Sequence, residues 1–249
     1  KLRSGILPLL FFVMIKFNLL ILGDTGWGDE LLIASIMTIL VSLSAMGLGI
    51  FISIFAAWAK ISGNIILKLV SNFYTTVIRG VPELLVIYLI FFGGSAGVMF
   101  VAKIFGYNGY IELNAFLMGT VSVGIISACY SSEVFRGAYN VIDKGQAEAA
   151  KSLGLSKIKI FIKVLAPQIL RHALPGLGNV WQITLKDTAL ISVTGLVEIM
   201  RQTKVAANTT HSPFTFYLAA AVLYLILTTF SSKAFNRLEI YSNKSTATT

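Results

Sequence analysis

Apolar residues along this chain gather in runs too long for the core of a soluble domain. A charge-free run covers 31–59, and a second covers 70–101 with Arg79 and Glu83 near its start. A third, 115–139, contains Glu133; a weaker fourth, 174–199, contains Lys186 and Asp187; a fifth covers 214–235. A helix that crosses a bilayer needs about 20 mostly apolar residues, whereas a membrane β-strand shows about ten in alternation. The runs fit helices. The pattern therefore predicts an all-α integral membrane protein with five spanning segments. Gly80 and Pro82 interrupt the second run, so a helix is expected to start or break there.

The first residues divide the reading. The stretch 5–22 is apolar but interrupted by Pro8, Lys16 and Asn18, and it is barely long enough to cross. Lys1 and Arg3 before it resemble a signal-peptide start, yet no small-x-small cleavage site follows. It reads either as a helix lying in the interface or as a sixth span. The chain thus divides into an N-terminal membrane-associated segment, 1–30, a membrane domain, 31–238, and a tail, 239–249.

Composition agrees with a bilayer. Hydrophobic residues make up 56% and charged residues 12%, with a mean hydropathy of +0.80; soluble domains carry about a quarter charged residues. The net charge of +9 does not indicate nucleic acid, because the basic residues fall between the apolar runs without interleaved aromatics. They mark topology instead. Arg136, Lys144, Lys151, Lys157, Lys159, Lys163 and Arg171 lie between the third and fourth runs against only Asp143 and Glu148, and Lys233, Arg237 and Lys244 follow the fifth. Positive charge accumulates on the cytoplasmic side, which places this loop and the C-terminus inside and the acidic stretch 24–30 outside. The single cysteine, Cys129, reads as a packed thiol, and His172 and His211 have no second metal ligand at useful spacing. Trp27, Trp58 and Trp181 fall near presumed span ends, where indoles anchor at headgroup level. Ser42, Ser44, Ala45, Gly47 and Gly49 allow another helix, or a paired subunit, to approach the first span closely.

The loop between the third and fourth runs has internal order. Gln146-Ala-Glu-Ala-Ala-Lys-Ser-Leu-Gly154 is a strong helix former up to a glycine, which suits a helix stopped by a left-handed cap. Glu148 is then placed near that helix's start, favourable to its dipole. A second amphipathic stretch, 156–165, is expected to end at Pro167. Together they form a helical elbow over about 140–167, with small Ala149 and Ala150 offering a low face to another protein.

Glu148-Ala149-Ala150, Gly154 and Val164-Leu165-Ala166-Pro167 resemble the EAA loop of bacterial ABC importer permeases, with departures at Val164 and Ala166 that leave the proline in place. Tyr74-Thr-Thr-Val-Ile-Arg-Gly-Val-Pro-Glu-Leu84, Glu133-Val-Phe-Arg-Gly-Ala138 and Leu185-Lys-Asp-Thr-Ala-Leu190 are similar to segments of the polar amino acid permeases. Arg171-His-Ala-Leu-Pro-Gly-Leu-Gly-Asn-Val-Trp181 resembles the subunits that import histidine, lysine, arginine and ornithine, or octopine and nopaline. The resemblance implies a type I importer fold and a translocation subunit rather than an enzyme. It also implies a bacterial inner-membrane location and coupling through Glu148, Ala149, Ala150 and Gly154. The implied partners are two copies of an ATP-binding subunit, a second homologous permease in a favoured heterodimer, and a periplasmic amino-acid-binding protein. ATP and Mg would sit on the ATPase, with no cofactor on this chain; no nucleotide-cradling Gly-x-x-x-x-Gly-Lys-Ser/Thr occurs in it.

Ionisable residues within spans are costly, about 2.5–3.5 kcal/mol at the centre, and so need a partner or a purpose. Glu133 and Arg136, three apart, can neutralise one another, or Glu133 can face the path and bind a cationic cargo. Asp187 is open to the same two readings, path residue or structural hydrogen-bonding group, and Glu83 is either a helix-start residue or one that acts in gating or substrate contact. If these acids line the route, a cationic or zwitterionic amino acid is the natural cargo. A secondary transporter or channel subunit is the competing function, and it would call for inverted repeats.

Overall fold

The computed structural model describes residues 16–23, 25–107, 109, 111 and 113–244. Nine α-helices occur among them: α1 (Gly28–Ile61), α2 (Ile65–Gly80), α3 (Glu83–Ile104), α4 (Ala115–Val141), α5 (Lys144–Ser152), α6 (Lys157–Ile160), α7 (Ala166–Asp187), α8 (Ile199–Thr210) and α9 (Pro213–Lys244). No strand occurs among the described residues. Four helices, α1, α3, α4 and the Pro213–Ser242 portion of α9, are long and apolar enough to cross a membrane. At 1.5 Å per residue, α1 is about 50 Å long, more than the roughly 30 Å hydrocarbon core requires.

The break expected in the second run is present, and the fourth run needs correction. The second run is two helices: Gly80 ends α2, Val81 is extended, and Pro82 precedes the first turn of α3. A proline there loses no hydrogen bond. The fourth run does not continue to 199. Helix α7 starts earlier, at Ala166, and ends at Asp187; a 3-10 segment, Thr188–Thr194, follows, and Gly195 at φ +92° turns the chain. Glu198 then caps α8 by accepting from the Met200 and Arg201 amides at 2.9 and 2.7 Å. Glu198 is fully buried, and Tyr224 of α9 donates to its second oxygen at 3.2 Å. The adjacent Ile199 amide donates to Thr38 of α1. The carboxylate thus ties α8 to α9, while its neighbour ties α8 to α1.

The centre of the bundle is the α1–α4 pair. Ser42, Ala45 and Gly49 of α1 are buried, and a methyl added at Gly49 would stand 2.8 Å from Ser127 Oγ on α4. Backbones approach closely where side chains are small. The close approach predicted for the first span is therefore made within the chain, whereas Ser44 and Gly47 lie on its exposed face. On the other side of α4 packs α7, whose Gly176 faces Val134 and whose Gly178 faces Phe235 of α9. Trp181 belongs to this core, 6% exposed and 6.2 Å from the Phe235 ring, so its expected headgroup-level place is corrected to a buried one. Trp58 is exposed, and Trp27 meets the Phe216 ring edge-on.

Residues 1–15 of the ambiguous N-terminal segment lie outside the described residues, as does 245–249 of the tail. The 3-10 turn Phe17–Leu20 packs Leu19 and Leu20 against Leu31, Ala206 and Phe216. The amides of Trp27 and Gly28 bond back to Leu19 and Ile21. Residues 16–22 thus fold over the start of α1 instead of running on as a spanning helix.

Candidate functional site

The elbow forms as a short helix, a left-handed turn and a second helical entry. Asp143 opens α5 by accepting from the Gly145 amide at 2.7 Å. Glu148 is the fifth of nine residues, past the first turn, so the favourable dipole contact assigned to Glu148 belongs to Asp143. At the other end Gly154 takes φ +77°. Its amide bonds Lys151 O at 3.0 Å, and the Leu155 amide bonds Ala150 O at 3.2 Å. This is the paired closure of a Schellman cap, which only a residue at ease in the left-handed region completes without strain.

The second helix does not stop at Pro167. Between α6 and α7 the segment Phe161–Leu165 winds as a π-helix, with the Ala166 amide bonding Phe161 O, and the chain runs on through Pro167 into α7. In an unbroken α-helix the proline ring would strike the carbonyl four residues back; one wider turn relieves that clash. The elbow is consequently continuous with α7. Gln168 strengthens the link, donating to Gln146 Oε1 at 2.5 Å and to Val164 O at 2.9 Å.

Glu148, Ala149 and Gly154 are exposed, whereas Ala150 is buried beneath the elbow. Leu153, Ile158, Phe161 and Ile162 stand exposed beside them, Leu153 by 82%. Exposed apolar patches rimmed by polar residues are where a protein meets a partner or a membrane.

Glu83 and Asp187 are brought together from opposite ends of the sequence pattern. Glu83 lies in the first turn of α3 and accepts a hydrogen bond from Tyr130 of α4 at 2.8 Å. Asp187, the last residue of α7, is 8% exposed and packs against Glu83. Its Oδ2 is buried without a hydrogen-bond donor among the described residues. Two ionised carboxylates are acceptors only, so Glu83 and Asp187 can bond to one another only when one of the two holds a proton. Tyr130 was not singled out from sequence, because its partner Glu83 lies 47 positions away.

Glu133 stands apart from that pair. Arg136 holds its Oε2 through Nε and Nη2 at 3.0 and 2.7 Å, as the spacing predicted. Its Oε1 takes the ammonium of Lys60 from α1, which also donates to Thr75 of α2 at 2.7 Å. The Lys60 side chain is only 3% exposed. Cys129 is buried as expected, its thiol directed at Thr75 O.

The family model described as the inner membrane component of binding-protein-dependent transport systems matches residues 49–239. The nopaline transport system permease protein of Agrobacterium fabrum is 49% identical over 224 residues, covering 89% of this chain and 94% of that protein. The octopine permease protein of Rhizobium meliloti is 44% identical, covering 88% and 93%. The histidine/lysine/arginine/ornithine permease protein of Escherichia coli is 36% identical, covering 83% and 90%. Among solved structures, an amino acid ABC transporter crystallised with histidines superposes with a TM-score of 0.73 at 31% identity, covering 86% of this chain and 95% of that one. A methionine ABC transporter, at 17% identity and a TM-score of 0.63, shares the fold. The chain belongs to the family of inner membrane components of binding-protein-dependent transport systems: it is a membrane permease subunit of an ABC importer, a translocation component that works with an ATP-binding subunit and a binding protein.

Proposed function

We propose that this permease conducts polar, basic amino acids or opines, and that Glu83 and Asp187 form the cation-binding step of its path. The observation that carries the reading is the buried Asp187 oxygen with no donor, set against a second carboxyl group. Two such acids repel unless one of them is protonated or a positive group lies between them. An ammonium or guanidinium supplies both charge and donors; a guanidinium has five N–H groups in a planar fork. Tyr130 holds the Glu83 carboxyl from the other side. Relatives named for nopaline, octopine and histidine/lysine/arginine/ornithine transport support a cargo of this chemistry.

Glu133 is the third acid of the path, at the basic end, where Lys60 and Arg136 occupy it in the present conformation. The basic end and the C-terminus face the cytoplasm of a bacterial inner membrane, by the positive-inside asymmetry. There Glu148, Ala149 and Gly154 meet the ATP-binding subunit, and Ala150 supports them from beneath. Because the elbow runs on into α7, which contains Pro175 and whose last residue is Asp187, a push on the elbow is passed along one helix to the acid pair. ATP and Mg reside on two copies of the ATPase, and this chain holds no cofactor. A second permease completes the path as a dimer, two-fold pairing being the commonest oligomeric arrangement; the resemblance to the amino acid permeases favours a homologous but distinct partner, with a homodimer as the alternative. A periplasmic amino-acid-binding protein delivers the cargo.

The test is uptake of labelled arginine by the reconstituted importer with its binding protein. Glu83→Gln and Asp187→Asn are each expected to lower uptake by roughly tenfold or more, the scale of one charge-assisted hydrogen bond. Normal arginine uptake by both variants would remove the acid pair from the path.

A further inference from the structure

Helix α2 is amphipathic in the reverse of the usual sense. Inside the protein it buries only Ser71 and Thr75, while Ile66, Leu69, Val70, Phe73 and Val77 are exposed. These apolar positions recur three or four apart and form one stripe. Lys68 and Arg79 lie off that stripe and line a cavity of about 950 Å³. Lys60, Arg136 and Lys144 contribute to the same lining, so five cations meet a single carboxylate, Glu133. That carboxylate is already taken by Lys60 and Arg136. Lys68, Arg79 and Lys144 have no ion-pair partner among the described residues.

We propose that this cavity seats the headgroup of an anionic phospholipid, with its acyl chains lying along the apolar stripe of α2. The phosphate meets Lys68, Arg79 and Lys144 at the cavity mouth. Basic pockets between spanning helices on the cytoplasmic side hold anionic headgroups in this way, and each basic group near the surface adds to the attraction. The two stripes of α2 supply both requirements of one amphiphile, an apolar bed and a cationic pocket, on a single helix. A soluble anion would use only the second. The proposal rests on the basic end facing the cytoplasmic leaflet but not on the identity of the cargo.

The experiment is native mass spectrometry of the whole importer, purified with an equimolar mixture of phosphatidylglycerol and phosphatidylcholine. The wild-type assembly is expected to retain phosphatidylglycerol preferentially. K68Q/R79Q is expected to lower that preference by roughly thirtyfold, as loss of two surface cations implies, and each single variant by less. K233Q/R237Q, near the C-terminal end of α9, is the charge-matched control and keeps the preference. Co-elution of the ATPase with each variant verifies assembly; should the double variant fail to assemble, the two single variants decide the question. No preference in the wild type, or an unchanged one in K68Q/R79Q or in both singles, overturns the proposal. Displacement of the lipid by millimolar inorganic phosphate overturns it as well, because the pocket would then be one for a soluble anion. Arginine uptake is measured separately, so the lipid site and the acid pair can fail independently.

Discussion

The ammonium of Lys60 on α1 is seated on the carboxylate of Glu133 on α4, and the Lys60 side chain is 3% exposed. The two residues are 73 positions apart, and their pairing locks the basic ends of the two helices that form the centre of the bundle. Removing one member of a buried pair strands the other charge, at a cost of about 3–5 kcal/mol. Glu133→Gln strands Lys60 and is expected to reach that range. Lys60→Met leaves Glu133 with Arg136 and is expected to cost less. The double variant is expected to be more stable than Glu133→Gln alone, which thermal unfolding of the detergent-solubilised assembly measures. Equal losses for Glu133→Gln and the double variant would show that the ion pair carries no coupling. Arginine uptake by Glu133→Gln decides its separate role as a path acid: normal uptake removes it.

Tyr130 donates to Glu83 at 2.8 Å. Tyr130→Phe deletes the donor and keeps the ring, so the loss is confined to one hydrogen bond to a charged acceptor, about 1.5–3 kcal/mol. Uptake of arginine is expected to fall by roughly tenfold on that scale. In the Glu83→Gln background the same change is expected to add little, because the acceptor it served is no longer charged. Additive losses in transport assays would place Tyr130 and Glu83 in separate steps.

Much of this architecture is legible in the sequence wherever the cause is local. Gly80 and Pro82 announce the break between α2 and α3, Gly154 announces the turn of the elbow, and Glu133 and Arg136 announce their pair by helical spacing. What escapes is what depends on a distant partner. Lys60 reads as one more loop charge until α4 and α2 are packed against it, and nothing near Glu198 indicates that it is a buried cap held by Tyr224. Trp181 reads as an interface indole because its neighbour Phe235 is 54 positions away. Pro167 misleads for a different reason: proline is a helix stop by its own chemistry, and the π-turn that lets the helix pass is set by the need to join the elbow to α7.

Gly154 is solvent-exposed, and a methyl added to it would meet nothing within 4 Å. Its constraint is therefore conformational. A side chain at φ +77° costs about 1–2 kcal/mol, and α5, with nine residues, is too short to hold itself without its caps. Gly154→Val is expected to fray the elbow and weaken capture of the ATP-binding subunit on an affinity column. Gly154→Asn, a residue that tolerates the left-handed region, is expected to keep most of it. Equal capture by both variants would detach the turn from the docking of the ATPase.

Gly176 presents the opposite constraint, one of space. It lies within helix α7, where alanine is intrinsically favoured over glycine by about 1 kcal/mol, so propensity alone predicts that Gly176→Ala stabilises. The added methyl would stand 2.7 Å from Val134 Cγ1 and 3.1 Å from Cγ2. A staggered turn of χ1 can put Hβ in place of Cγ1 but leaves a methyl near the 3.1 Å position, so the contact is eased rather than cleared, and α7 and α4 must still give way. Overpacking of this kind costs about 1–3 kcal/mol, which exceeds the gain in propensity. Gly176→Ala is therefore expected to lower the melting temperature of the solubilised assembly, and Val134→Ala in the same chain is expected to restore part of it. Gly47, whose added methyl meets nothing within 4 Å, isolates the propensity effect: Gly47→Ala is expected to leave stability unchanged or raise it. Failure of Val134→Ala to recover any stability in the Gly176→Ala chain would mean that α4 and α7 are not held at the separation described here.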